Sequence, residues 1–272
     1  LSTASAAIFL PFTVSELIQE NGKYYGINSI TKNIISIDRK QLKAPNGFVL
    51  GTPGSGKSFS VKREIVNVLL RDSQDEIIII DPEREYTIIA ENFKGEVIKI
   101  SSDSKTHINP LDINDNYGDD VDPVVMKSEF LISLFDLIIG GTIGLTSTQK
   151  TLIDRVCRHL YERFTQDNIA RQPTLLDFYQ LLKEQQEEEA KLLVMDLEIY
   201  IEGSLSVFAN ETNVDINKRL VVYDIKDLGK QLKTMGMLIV LDQVWNRITE
   251  NRNKGVRTWL YIDVMQLLFT ND

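Results

Sequence analysis

The period of hydrophobic and polar positions changes several times along the chain, and each change predicts an element. Two runs rich in β-branched and aromatic residues, Tyr24–Ile30 and Ile34–Arg39, predict a β-hairpin. In Val61–Leu69 apolar residues recur at i, i+4, i+7 and i+8, which predicts a helix with one buried face. Four β-branched residues in succession, Ile77–Ile80, predict a strand covered on both faces, as in a parallel sheet.

Strands and helices alternate near both ends of the chain. The apolar segment Gly47–Leu50 predicts a strand that runs into a glycine-rich turn, and a short helix and the strand Val97–Ile100 follow Ile80. The same alternation returns in the strand Arg219–Ile225, the helix Lys230–Thr249 and the strand Thr258–Asp263. Strand and helix in alternation predict an α/β fold with a mostly parallel sheet flanked by helices.

A stretch of helical pattern separates these two parts of the α/β region. Thr174, with Asp177 three residues later, predicts a capping box at the start of one of its helices. The predicted helices are Val124–Ile138, Thr148–Phe164, Leu175–Glu184 and Glu188–Glu202. We therefore expect three parts: a β-rich segment over 1–45, an α/β core over 46–112 and 218–272, and an all-α subdomain over 113–217.

Composition narrows the class of protein. The 272 residues carry a net charge of −9, which argues against a general nucleic-acid coat but leaves room for a local basic surface that contacts DNA. Cys157 is the one cysteine, so the chain has no internal disulfide and fits a reducing compartment. No apolar run reaches the roughly 18 to 20 residues of a membrane span.

One motif carries clear chemistry. Gly51-Thr52-Pro53-Gly54-Ser55-Gly56-Lys57-Ser58 fits the phosphate-loop pattern G-x-x-x-x-G-K-[ST], and Phe59 continues it into the predicted helix. Glycines let backbone N–H groups approach phosphate oxygens, and the helix that follows directs its positive end at the same anion. Lys57 supplies a mobile charge for the β- and γ-phosphates, and the Ser58 hydroxyl is a ligand for Mg²⁺. The sequence therefore predicts binding of ATP with Mg²⁺.

A phosphate loop also needs a carboxylate that orients the metal, at the carboxyl end of a nearby strand. Asp81 and Asp263 both end apolar strands. We prefer Asp263, because its strand lies far downstream, where motor ATPases usually place this acid. For the base that activates water, the segment after Asp81 offers Glu83 and Glu85, although acidic residues at a solvated helix start would look the same.

Several segments, taken in order, resemble the conjugative-transfer ATPases of type IV secretion systems, of the VirB-four/TraC type. The segments with this resemblance are Gly22–Asn28, Asp81–Tyr86, Val97–Ile100, Ile108–Asp112, Glu202–Leu205, Tyr223–Leu228 and Met237–Asp242. The resemblance implies that the chain is most of a C-terminal ATPase domain, with a RecA-like core and an inserted all-α subdomain. It implies Gly51–Ser58 as the phosphate and Mg²⁺ site and Asp263 as the Walker B acid.

The resemblance also implies a function and a setting. The family hydrolyses ATP to energise transfer of DNA or protein, assembles as a hexamer, and works with other secretion components at the cytoplasmic face of the cell membrane. One departure is Val264, where the family usually has glutamate. Two alternatives stay open: a P-loop phosphotransferase whose inserted helices form a lid, and a nucleotide-dependent assembly module that does not hydrolyse ATP.

Overall fold

The computed structural model describes residues 16–114, 117 and 121–263. These residues form two compact units that divide in sequence between Ser73 and Gln74. The predicted parts, 1–45, 46–112 with 218–272, and 113–217, stay a prediction. None of the helices in the described ranges is both long and apolar enough to cross a bilayer.

The first unit consists of the predicted hairpin and one long helix. The two strands pair antiparallel, with a bulge near Gly26. Of the predicted buried stripe of the helix, Ile65, Val68 and Leu69 are buried and Val61 is half-buried. Its elements are β1 (Lys23–Ile27), β2 (Ile34–Ile37), a 3-10 turn (Arg39–Gln41) and α1 (Lys57–Arg71).

The strand predicted over Gly47–Leu50 is wrong for this structure. The segment is irregular, and Phe48, Val49 and Leu50 are all exposed. A strand is stable only when a neighbour pairs with its backbone, and none of the described strands pairs with this segment. An apolar run alone was therefore an insufficient signal.

Charged side chains connect the hairpin of the first unit to α1. Glu64 of α1 accepts hydrogen bonds from the Tyr25 hydroxyl and from the Arg39 guanidinium. At the other end of α1, Asp72 lies 2.6 Å from Lys23 Nζ and 2.8 Å from Lys40 Nζ. Burial disfavours the charged form of Asp72, but hydrogen bonds from the two lysines outweigh it and lower its pKa.

The second unit contains a four-stranded sheet in the order β4-β5-β3-β6, with every neighbouring pair parallel. In β3, Ile77, Ile79 and Ile80 have no exposed surface, as the run of isoleucines predicts for a strand covered on both faces. The strands are β3 (Glu76–Asp81), β4 (Glu96–Lys99), β5 (Leu220–Asp224) and β6 (Thr258–Ile262). The predicted α/β fold class is confirmed.

Helices surround and extend this sheet. A single apolar cluster runs from Ile78 and Val221 in the sheet to Phe135 and Phe178 in the inserted helices. The predicted capping box is confirmed, since Thr174 caps its helix together with Asp177. The helices are α2 (Thr87–Asn92), α3 (Pro123–Ile139), α4 (Ser147–Gln166), α5 (Leu175–Lys183), α6 (Glu188–Ile201), a 3-10 turn (Ser206–Phe208) and α7 (Lys230–Asn253).

One ion pair lies inside this apolar cluster. Lys127 of α3 has no exposed surface, and its Nζ is 2.6 Å from Asp242 Oδ2 of α7 and 3.0 Å from the Pro110 carbonyl. The ammonium also lies 4.3 Å from the centre of the Tyr117 ring. Burial lowers the pKa of Lys127, while the Asp242 carboxylate opposes that change. The pair joins α3 to α7 within the second unit.

Candidate functional site

The phosphate loop has the backbone that its glycines permit. Gly54 and Gly56 have φ angles of 78° and 87°, a region that side chains other than glycine rarely adopt. Gly56 is the N-cap of α1, and no side chain caps this helix. The first N–H groups of α1 are therefore not taken by a capping side chain, and an anion can accept hydrogen bonds from them.

Lys57 lies across the loop. Its Nζ donates a 2.8 Å hydrogen bond to the Gly51 carbonyl. A Cβ atom added to Gly51 would lie 2.4 Å from Ser55 Oγ and 3.2 Å from Lys57 Cγ, so only glycine fits there without a shift of its neighbours. The ammonium is held close to the loop by one hydrogen bond that a phosphate oxygen can replace.

The other predicted residues of the loop are accessible. Thr52, Pro53, Ser55 and Phe59 are exposed, and Ser58 is partly exposed in the first turn of α1. The uncapped helix start, the two left-handed glycines and the nearby ammonium fit the triphosphate and Mg²⁺ that the motif predicts. The roles of Gly51 to Phe59 in binding ATP stay a prediction.

The second group of predicted residues lies at the carboxyl edge of the sheet in the second unit. β3 and β6 run parallel with Ile80 opposite Ile262, so Asp81 and Asp263 follow at the ends of neighbouring strands. The Asp263 N–H donates a 3.1 Å hydrogen bond to the Ile80 carbonyl. The two candidate metal-orienting acids are therefore adjacent in the sheet.

Asp81 and Asp263 differ in what surrounds them. Asp81 is fully buried, and its carboxylate accepts hydrogen bonds from the backbone N–H groups of Glu83, Glu85 and Tyr86 at 3.3, 3.0 and 2.8 Å. A carboxylate used in this way fixes the turn after β3. Asp81 therefore caps the loop after β3, and Asp263 stays the predicted Walker B acid.

Several acidic groups affect the pKa of the buried Tyr86 hydroxyl. Burial raises the pKa of its hydroxyl, and the negative charges of Asp263, Glu85 and Asp81 raise it further. The charges of Glu85 and Asp263 therefore both act on the Tyr86 hydroxyl. Glu83 is exposed at the outer side of the same turn. Of the two candidate bases, Glu85 is partly buried, and the role of either glutamate stays a prediction.

Sequence reasoning missed an arginine clamp at this edge. Arg84 has a φ of 59°, and its guanidinium bonds to Asp224, which ends β5, and to Asp227. Lys226 Nζ also donates a 3.3 Å hydrogen bond to the Glu83 carbonyl. Hydrogen bonds from Arg84 and from Lys99 lower the pKa of Asp227. The clamp connects the turn that carries the two glutamates to the neighbouring strand.

A signal for the clamp was present in the sequence. Asp224 ends an apolar strand in the same way as Asp81 and Asp263, so its position at the same edge could have been inferred. The pairing with Arg84 depends on the order of the strands, which periodicity does not give.

The predicted site residues fall in both units. The phosphate loop belongs to the first unit, and Asp263, Glu83 and Glu85 belong to the second. Within the described ranges, no group of three His, Cys, Asp or Glu side chains could hold a metal ion. Mg²⁺ binding by Ser58 and Asp263 stays a prediction, and Val264 lies outside the described residues.

Comparisons with known proteins agree with this architecture. Residues 30–118 match the family model of the central domain of the HerA helicase. Among solved structures, VirB4 of Thermoanaerobacter pseudethanolicus matches with a TM-score of 0.78 and 24% identity, over 93% of this chain and 70% of that chain.

This chain has the VirB4 fold. The resemblance that the sequence predicted, and the P-loop NTPase fold class with it, are confirmed by the match to VirB4. A search of the curated proteins found no match. The stretch that matches the HerA central domain contains the phosphate loop and the turn from Asp81 to Tyr86, whereas Asp263 lies outside it.

Proposed function

We propose that the chain is the motor domain of a type IV secretion or conjugation system, which binds ATP with Mg²⁺ and hydrolyses it to energise transfer of DNA or protein. The observation that carries this proposal is the phosphate loop at the uncapped start of α1, with Lys57 across it, in a chain of the VirB4 fold. The HerA match over the same residues supports it.

Each predicted residue has a task in this proposal. The N–H groups of the loop and the Lys57 ammonium hold the β- and γ-phosphates, and Ser58 and Asp263 hold Mg²⁺. When bound, Mg²⁺ neutralises charge that develops on the phosphate oxygens. Glu85 orients and deprotonates the attacking water, with Glu83 as the second candidate. The Arg84 clamp keeps the turn of both glutamates in place.

We also propose the setting in which this motor works. The fold shared with VirB4 supports self-association, with a hexamer as the expected form, and contact with other secretion components at the cytoplasmic face of the membrane. With a net charge of −9, contact with DNA requires a local basic surface.

Release of phosphate from ATP, measured without any acceptor, tests the proposal. We expect turnover by the wild-type chain and a loss of at least about 100-fold in Lys57→Ala, since an ammonium that stabilises transferred charge is removed. Lys43→Ala is the matched control, because Lys43 is an exposed lysine outside the loop in the same unit. Assays at increasing protein concentration separate a slow monomer from an inactive protein.

Two results would replace the proposal with one of its alternatives. An absolute requirement for an acceptor would identify a phosphotransferase. Binding of a fluorescent ATP analogue without turnover at any protein concentration would identify an assembly module. Glu85→Gln and Glu83→Gln, measured separately, test the base, and normal turnover in both variants would exclude that role for either residue.

A further inference from the structure

The outermost side chains of α6 are apolar. Leu192, Met195 and Ile199 are 57%, 71% and 45% exposed, and their i, i+3, i+7 spacing puts them in one row, which we call the α6 stripe. The opposite face of the same helix is buried in the core through Ala190, Leu193, Leu197 and Ile201. A surface helix normally places polar residues where the α6 stripe lies.

Acidic side chains flank the α6 stripe on both sides. At 100° per residue, Glu189 and Asp196 lie on one side, and Glu198 and Glu202 lie on the other. All four are exposed. Glu202 pairs with Lys183 at 3.1 Å, whereas neither Glu189 nor Asp196 has an ion-pair partner in the described part of the chain. Glu188, at the start of the row, pairs at 2.6 Å with Lys191, which is exposed on the same side as Glu198. The border of Glu189 and Asp196 is therefore acidic, whereas the border of Glu198 is mixed.

We propose that the α6 stripe is a docking surface for an amphipathic helix of a partner protein, whose own apolar row is bordered by lysine and arginine. The apolar rows would bury one another, and the basic residues of the partner would meet Glu189 and Asp196. This charge pattern selects among the possible occupants. Two copies of α6 packed antiparallel would bring the border of Glu189 and Asp196 against itself, and the same border would be repelled by an anionic lipid surface.

Two synthetic helical peptides of identical composition test this proposal with the complete chain. One peptide carries leucines at i, i+3, i+4 and i+7 with lysines and arginines on both sides, and the other has the same residues in an order that disperses the leucines. We expect the first peptide to bind at least about tenfold more tightly in fluorescence anisotropy, because only it presents a continuous apolar row. Added salt should weaken its binding, because the charged borders are exposed.

Variants of the chain test whether the first peptide binds at the α6 stripe. Leu192→Ser/Met195→Ser/Ile199→Ser should weaken binding of the first peptide at least about tenfold, while Ile143→Ser should bind it like wild type. Ile143 is 95% exposed and lies in the same inserted region, outside α6. Because all of these side chains are exposed, we expect circular dichroism spectra and melting temperatures close to those of wild type.

Three results would overturn the proposal. Equal binding of the two peptides, or unchanged binding by the triple variant, would show that the α6 stripe does not recognise an amphipathic helix. Self-association that the triple variant abolishes in analytical ultracentrifugation would make a second copy the occupant. Stripe-dependent binding to phosphatidylserine vesicles would make a membrane the occupant.

Discussion

In the first unit, ion pairs and hydrogen bonds join the hairpin to α1, whereas in the second unit an apolar cluster runs from the sheet to the inserted helices. The two groups of predicted site residues are divided in the same way. The phosphate loop begins the helix that charged groups hold, and Asp263 and Glu85 lie at the edge of the sheet that the apolar cluster holds. Acid should therefore weaken the ion pairs that hold α1, which begins at the phosphate loop. The edge of the sheet that carries Asp263 and Glu85 does not depend on those ion pairs.

The largest effect should come from the ion pair inside the second unit. Asp242→Ala leaves the Lys127 ammonium buried without its carboxylate, and we expect a loss of about 3–5 kcal/mol in the free energy of unfolding. Urea denaturation followed by circular dichroism measures this loss. The double variant Lys127→Met/Asp242→Leu should recover most of it. A change below about 1 kcal/mol in the single variant would show that the pair does not support the second unit.

The next effect belongs to the first unit and depends on pH. Because the pKa of Asp72 is lowered in the folded chain, its pairs with Lys23 and Lys40 stabilise the fold above the unfolded pKa of about 3.9. This contribution, about 2 kcal/mol, is lost as the pH falls through the lowered folded pKa. Asp72→Asn should therefore destabilise the chain at about pH 6, and the difference from wild type should shrink as the pH falls below the unfolded pKa of about 3.9.

Hydrogen exchange can locate the effect of Asp72. At about pH 6, Asp72→Asn should lower the protection of amides in α1 and leave those of β3 and β5 as they are in wild type. An equal change in both units, or the same difference between variant and wild type at every pH, would contradict the contrast between the two units.

A smaller effect should come from the arginine clamp. Arg84→Gly removes the guanidinium but suits the φ of 59°, whereas Arg84→Ala removes the guanidinium and keeps a strained backbone. We expect the alanine variant to be less stable than the glycine variant by about 1 kcal/mol. In phosphate-release assays both variants should lose about tenfold in kcat, since the turn of Glu85 is then less well fixed.

The same two variants separate positioning from stability. If the clamp acts only on stability, kcat should follow the melting temperature, and the glycine variant should be the more active one. Equal losses of kcat in two variants of unequal stability would support a positioning role for Arg84.

The smallest effect should come from the capping box of α5. Thr174→Ala removes the hydroxyl that caps the Asp177 N–H, and the expected loss is about 1 kcal/mol in the free energy of unfolding. Thr142→Ala, at an exposed position, is the control. The comparison with α1 matters because no side chain caps α1. An added phosphate or nucleotide should therefore stabilise the first unit by accepting hydrogen bonds from the first N–H groups of α1. A cap substitution without effect would weaken that argument.

Local patterns were the part of the structure that the sequence predicted well. Ile77–Ile80, the Thr174 capping box and the buried face of α1 each depend on neighbours a few residues away, and all are present. Gly47–Leu50 failed because a strand needs a partner as well as apolar side chains. The VirB-four resemblance predicted the fold from segments spread over the whole chain.

The candidate site residues also differ in how far apart they lie in the sequence. The phosphate loop could be identified because its chemistry lies within eight consecutive residues. The clamp could not, because Arg84 and Asp224 are 140 residues apart and meet only through the parallel pairing of β3 with β5. In sequence, Asp263 is preferred over Asp81 for its downstream position alone, and the three backbone hydrogen bonds that Asp81 accepts are visible only in the structure.

The Gly51 carbonyl, which accepts a hydrogen bond from Lys57, competes with any anion for the same ammonium. An incoming anion has to replace that bond, so the loop discriminates by the strength of the anion it meets. A singly charged ion such as chloride forms too weak a contact to displace the carbonyl, whereas a triphosphate offers several charged oxygens to the same ammonium. Binding at this ammonium should therefore favour ligands that offer several charged oxygens over ligands that offer one.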